Sequence, residues 1–274
     1  MMRTAATACC CLAMATAASA SAGKPPPPPP PAITFGMALD DNAVLQQTPS
    51  DAYVFGATLS TAVTVKVSGP GCPSLAGVAA TVFNNTWKAK VPGAKGGDCT
   101  VVATTKEGAS ANLTGVTYGD VWYCGGQSNM ALPVAHTFSR NASAKAVLAG
   151  KYANIRLKEI GSNMNTQFKW MSLHDAVSNR LVAEHGKVND TYFHIFSATC
   201  YYFGESLTEE LGADAPPIGL VHTAYGGSMI EQWMKEDSVE SCKNASNYTA
   251  VSGGEWWQQR VLPFSQMTVK GWTW

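Results

Sequence analysis

Between Ile33 and Val116 the hydrophobic pattern has a period of two. Val63, Val65 and Val67 alternate with polar residues, and Val54-Phe55, Val82-Phe83 and Val101-Val102 mark further short strands. Gly56, Pro70-Gly71 and Pro92-Gly93 punctuate them and no helical period intervenes. The segment 33–116 therefore predicts a small antiparallel β domain. Near Tyr118 the pattern changes. Val121-Trp122-Tyr123-Cys124 is continuously apolar, which suits a parallel strand covered on both faces. Ala142 to Leu148 reads as a helix stopped by Gly150, and Ile155 to Ile160 as a strand. Cys200, Phe203, Leu207 and Leu211 line one face of a helix that ends at Gly212. Pro217 to Val221 and Met267 to Trp274 are two further apolar strands. Strands alternating with helices over 117–274 predict an α/β domain on a parallel sheet, incomplete at its C-terminal end.

The chain ahead of Ile33 reads as targeting rather than structure. Arg3 supplies a positive n-region, Ala5 to Ala18 is an apolar stretch, and Ala18-Ser19-Ala20 and Ala20-Ser21-Ala22 offer cleavage sites. Residues 1–22 are thus expected to be a signal peptide. Residues 23–32, with Pro25 to Pro31, form a Pro-rich linker. A secreted protein, or one in the lumen of the secretory or lysosomal pathway, follows. Six Asn-x-Ser/Thr sequons agree, at Asn84, Asn112, Asn141, Asn189, Asn244 and Asn247. Past the signal, Cys72, Cys99, Cys124, Cys200 and Cys242 remain. No Cys/His spacing suits zinc, so no metal is expected. Cys72 and Cys99 flank one strand pattern and are the expected disulfide. Five is odd, so one thiol stays free or finds its partner elsewhere. Cys124, inside an apolar strand, reads as a buried small residue rather than a nucleophile.

Composition narrows the function. The 274 residues hold 19 basic and 19 acidic side chains, 14% charged against 46% apolar. That is enough chain for a sizeable core and too little charge for disorder. Zero net charge leaves no electrostatic footprint for nucleic acid or acidic lipid. Beyond the N-terminus no apolar run approaches the ~18 residues of a membrane span.

The chemistry concentrates in Gly125-Gly126-Gln127-Ser128-Asn129-Met130, directly after the strand ending at Cys124. Open α/β sheets place ligands beyond the C-terminal ends of their strands. There Gly126 lets the chain turn, Ser128 can present its hydroxyl, and backbone N–H groups can donate to an oxyanion. The plainer alternative is that Ser128 caps a helix. The string is not Gly-x-Ser-x-Gly, so the α/β-hydrolase elbow is not matched.

Gly119-Asp120-Val121-Trp122 running into Gly126-Gln127-Ser128-Asn129-Met130 resembles the first block of the sialate O-acetylesterases, secreted carbohydrate esterases of the SGNH/GDSL hydrolase type. Ile218-Gly219-Leu220-Val221, Tyr225-Gly226-Gly227-Ser228 and Ile230-Glu231-Gln232-Trp233-Met234 resemble the second block. Asn42-Ala43-Val44-Leu45-Gln46-Gln47 resembles the opening of the β domain, and Phe196-Ser197-Ala198 with Tyr202-Phe203-Gly204 the helix before the second block. The resemblance implies an SGNH-like α/β domain, Ser128 as nucleophile, and an acetylated carbohydrate or sialoglycan as substrate, with no cofactor. It implies an oxyanion donor at Gly227 or Gly226 beside the N–H of Ser128. Gln127, Asn129, Glu231 and Trp233 would support or line the site, and Asp120 would hold loops together. The sequence given ends at Trp274, ahead of the family's Gln-Gly-Glu and Asp-x-x-His blocks, which supply a further oxyanion donor and the general base. None of His136, His174, His185, His194 and His222 lies in an Asp-x-x-His context. His222, at the end of a strand, reads as a core or rim residue. Two readings follow: a serine acetylesterase, or an inactive paralogue that binds glycans through the same cleft.

Overall fold

The computed structural model describes residues 32–161, 167–181, 190–243 and 253–274. The expected signal peptide, nearly all of the Pro-rich linker, His185 and the sequons at Asn189, Asn244 and Asn247 lie outside the described residues. Asn84, Asn112 and Asn141 are exposed.

Two sheets form the β-rich part. The smaller is four-stranded and antiparallel, in the order β1 (Ile33–Phe35), β3 (Ala52–Thr58), β7 (Thr86–Val91), β6 (Thr81–Phe83). The expected break at Gly56 does not occur, because Gly56 sits inside β3. A Cβ there would lie 1.8 Å from the Thr34 carbonyl oxygen, so the glycine admits the neighbouring strand instead of ending its own. The larger sheet takes β4 (Val63–Ser68), β5 (Leu75–Ala79), β8 (Gly96–Thr105) and the 15-residue β9 (Ser110–Cys124). It continues through β12 (Ile218–His222) and β10 (Ile155–Ile160) to β11 (Gln167–Ser172). Short β2 (Val44–Gln46) and β13 (Gly271–Thr273) also pair with β9.

β9 changes partners along its length. Its first part pairs antiparallel with β8, and its end pairs parallel with β12 and β13. The change from alternating to continuous apolar residues follows from this. At its C-terminal half Val121 and Tyr123 enter the core shared with the β sheets, while Cys124 enters a second core under the helices. β12 is wholly buried on both faces. On β10, Ile155 and Leu157 meet the helices, and Lys158 faces the other way, paired with Asp40.

The helices are α1 (Arg140–Leu148), α2 (Leu173–Ser178), α3 (Tyr192–Ile195), α4 (Ala198–Leu211) and α5 (Glu236–Lys243). α4 starts at Ser197, whose hydroxyl accepts from the Cys200 N–H at 3.1 Å, and ends at Gly212 with φ 57°. Two disulfides are present. Cys72 and Cys99 are bonded as expected, with Cα atoms 5.8 Å apart. Cys124 is buried, as expected, and is not free: it bonds Cys200 across 76 residues, Cα to Cα 5.9 Å. Both cysteines were legible as buried, but only the packing of α4 on β9 brings them together. Cys242 lies in α5, its side chain outside the description. No helix among the described residues is long and apolar enough to cross a membrane.

Candidate active site

The candidate residues gather at one end of the parallel strands. β9 and β12 are neighbours in register, Cys124 opposite His222. The chain leaves both strands at the same level, and the two exits are stitched together. Thr223 N–H donates to the Cys124 carbonyl at 2.9 Å, and Tyr225 N–H donates to the Gly126 carbonyl at 3.0 Å. The Ser128 loop and the Gly226-Gly227 turn are therefore adjacent, although nearly a hundred residues separate them in sequence. Gly126 has φ 119°, and a Cβ there would lie 2.9 Å from Met130 Cγ. Gly227 has φ 78° with open space around it. Each turn thus needs its glycine for a left-handed backbone.

Gln127, Ser128 and Asn129 are exposed, whereas Met130 is buried and anchors the loop. No helix follows Ser128 directly, so the capping alternative fails. The loop closes as a single turn, with Ala131 N–H donating to the Gln127 carbonyl at 2.8 Å. The Ser128 N–H donates to Gln127 Oε1 at 2.7 Å, and its hydroxyl donates to the same atom. Gln127 Oε1 thus accepts from both the main-chain N–H and the hydroxyl of Ser128. The Asn129 carbonyl accepts from Thr199 Oγ1 at 2.9 Å, fastening the loop to α4.

The second turn is held from below by Trp233, which is buried in a short 3₁₀ helix, Ile230–Trp233. Its indole N–H donates to Ser228 Oγ at 2.9 Å, and that hydroxyl donates to the Tyr225 carbonyl at 2.7 Å. Trp233 thus supports the turn. The half-buried Glu231 contributes its main-chain carbonyl to Met234 and Gly254. Asp120 lies elsewhere. It pairs with Ile218 at the opposite end of the strands, about 13 Å from Cys124 at ~3.3 Å per residue. There it accepts from Gln46 and Gln47, a structural role as expected.

His222 is fully buried. Its Nδ1 pairs with Glu159, its register neighbour on β10, and its ring meets Phe196 edge-on. His194 pairs with Asp190 at 2.7 Å on the short α3. Among the described residues, no histidine hydrogen-bonds Ser128. Sequence reasoning missed Glu159 and Arg260, which underlie the second turn, and gave Tyr225 of the quoted block no role of its own. A charged residue beside Trp256-Trp257 in so uncharged a chain was the available signal. Trp256 is itself buried and stacked on Tyr225 with centroids 4.1 Å apart.

Comparison with known proteins fits this geometry. No family model matches the chain. Over 259 residues it is 28% identical to the sialate O-acetylesterase of Homo sapiens, covering 88% of this chain and 47% of that protein. The sialate O-acetylesterase of Mus musculus is 30% identical over 215 residues, 76% of this chain and 38% of that protein. The chain thus spans about half the length of the curated relatives it matches, or less. A carbohydrate acetylesterase crystal structure from Xanthomonas citri superposes with a TM-score of 0.64 and 26% identity, over 88% of this chain and 50% of that one. Over the region they share, the chain is a homologue of the sialate O-acetylesterases.

Proposed function

We propose that this chain carries the nucleophile and the oxyanion donors of a serine esterase that removes O-acetyl groups from carbohydrates. The observation that supports it is the hydrogen bond from Tyr225 to Gly126, which seats the Ser128 loop beside the Gly226-Gly227 turn. Ser128 Oγ attacks the acetyl carbonyl carbon as its proton passes to a base. The tetrahedral oxyanion takes hydrogen bonds from the N–H groups of Ser128 and of Gly227 or Gly226, each worth about 2.7–4 kcal/mol in such sites. Collapse breaks the ester bond, the sugar oxygen leaves with a proton, and water then releases acetate from the acetyl-serine. The base and its carboxylate are those of the Asp-x-x-His block that the family resemblance implies, and the substrate is a sialic acid or another acetylated sugar of the secretory route. Asn129 and Gln127 face that substrate.

The absence of a histidine on Ser128 among the described residues favours a second reading, a glycan-binding protein with the same cleft. One experiment separates them. Incubation with an aryl acetate followed by intact-mass measurement should trap one acetyl group on Ser128, lost in Ser128→Ala. A polypeptide that includes an Asp-x-x-His block yet shows neither acetyl-enzyme nor turnover would leave only the binding reading.

A further inference from the structure

Arg260 is one of the few buried charges outside the residues already assigned. It lies in a π-helical turn, Trp257–Val261, and its contacts converge on the ends of three parallel strands. Its Nη1 donates to the carbonyl of Thr223, the first residue after β12, at 3.0 Å, and to that of Gly161, the first after β10. Its own carbonyl accepts from the Tyr123 hydroxyl of β9 at 2.8 Å. The guanidinium carbon lies 4.8 Å from the Tyr225 ring centroid and 4.9 Å from that of Trp256. Beneath it sits the buried Glu159–His222 pair, whose Glu159 also accepts from Gly161 N–H at 3.1 Å.

The segment leading into the Gly226-Gly227 turn is therefore held by one side chain, through a hydrogen bond at Thr223 and a ring contact at Tyr225. The planar guanidinium donates both hydrogens of Nη1 to carbonyls while its face packs on the Tyr225 and Trp256 rings, a geometry that the compact, strongly hydrated ammonium of lysine does not reproduce. We propose that Arg260 is a positioning residue for the candidate site: it fixes the Tyr225–Gly227 turn, and with it the oxyanion donor, relative to Ser128. It touches no reacting atom. The proposal rests on the esterase reading for its consequence, but not for its geometry.

The test is hydrogen exchange on the 274-residue chain, with Arg260→Lys and, because Arg260→Met alone would strand the Glu159 charge, the double variant Arg260→Met/Glu159→Gln. Amides of 223–228 should exchange at least about tenfold faster in both variants, while those of β4 and β8 keep their wild-type rates. In a polypeptide with measurable esterase activity, kcat should fall roughly 10²-fold with KM little changed, since a small misplacement of a catalytic group costs about that much. Unchanged exchange at 223–228 in Arg260→Lys, or a rise in KM at constant kcat, would overturn the proposal. Faster exchange in a protein whose wild type shows no esterase activity supports the clamp and counts against the esterase reading alone.

Discussion

Ser128 is exposed because the residues that bracket its loop, Gly126 and Met130, are buried. Met130 is buried, Gly126 takes a backbone few other residues adopt, and the polar side chains between them are pushed outwards. Gly126→Ala should therefore cost about 1–3 kcal/mol by chemical denaturation, combining left-handed strain with the clash on Met130. Tyr118 offers an independent residue-scale prediction. Its ring is fully buried and its hydroxyl has no hydrogen-bond partner among the described residues. Burial pushes its pKa from 10.0 up to about 12. The unfolded phenol ionises first, so the native state loses this contribution as pH rises from about 10 through 12. Tyr118→Phe should be as stable as wild type or more so at pH 7, and its advantage should widen above pH 10. A variant that melts lower at pH 7 would contradict this. The sequence displayed Ser128 and Gly227 because serine and glycine in turns act locally. It hid Arg260 and Glu159, whose meaning depends on which strand ends the fold brings together.

Elements divide along the same line. The alternation of β4 and the glycine stop of α4 were readable from local periodicity, whereas the expected apolar face of α4 holds only in part: Cys200 is buried, Phe203 and Leu207 are partly buried, and Leu211 is exposed. β9 was not readable as one strand. Its pattern changes near Tyr118, which suggests a boundary, whereas the structure shows one strand passing from a sheet with one covered face to a layer covered on both. The two disulfides test what each element contributes. Cys72–Cys99 closes 27 residues inside the β sheets, far along the chain from Ser128. Cys124–Cys200 ties the last residue of β9, directly before the Ser128 loop, to the first turn of α4. In the chain-entropy picture the loops are worth about 3.5 and about 4.5 kcal/mol. Replacing Cys72 and Cys99 by Ser should lower the melting temperature while leaving hydrogen exchange at 125–131 unchanged. Replacing Cys124 and Cys200 by Ala should lower it and also speed exchange there. Equal effects of both pairs on the loop would show that neither disulfide acts locally.

At the scale of the molecule, the question is what these 274 residues can do by themselves. The two turns are in place, yet Ser128 donates its proton to Gln127 rather than to a base. His222 is closed off between Glu159 and Phe196, and His194 is engaged by Asp190. β13 adds a second consideration, because Trp272 and Trp274 are 53% and 58% exposed beside the candidate site. Trp274 packs against Gly125 and edge-on to Trp233 at 5.1 Å, so whatever covers this edge also bears on the loop of Ser128. Left open, it should promote concentration-dependent association, visible by analytical ultracentrifugation. In serine hydrolases, loss of a triad member leaves only about 10³–10⁴-fold acceleration over water. With Ser128 hydrogen-bonded to Gln127 and to no histidine among the described residues, these residues alone should hydrolyse an aryl acetate barely above background. A longer polypeptide with an Asp-x-x-His block should turn it over rapidly, and Ser128→Ala should abolish that turnover. Brisk hydrolysis by the shorter chain, lost in His222→Ala but retained in a folded Ser128→Ala protein, would place the chemistry at the buried Glu159–His222 pair instead.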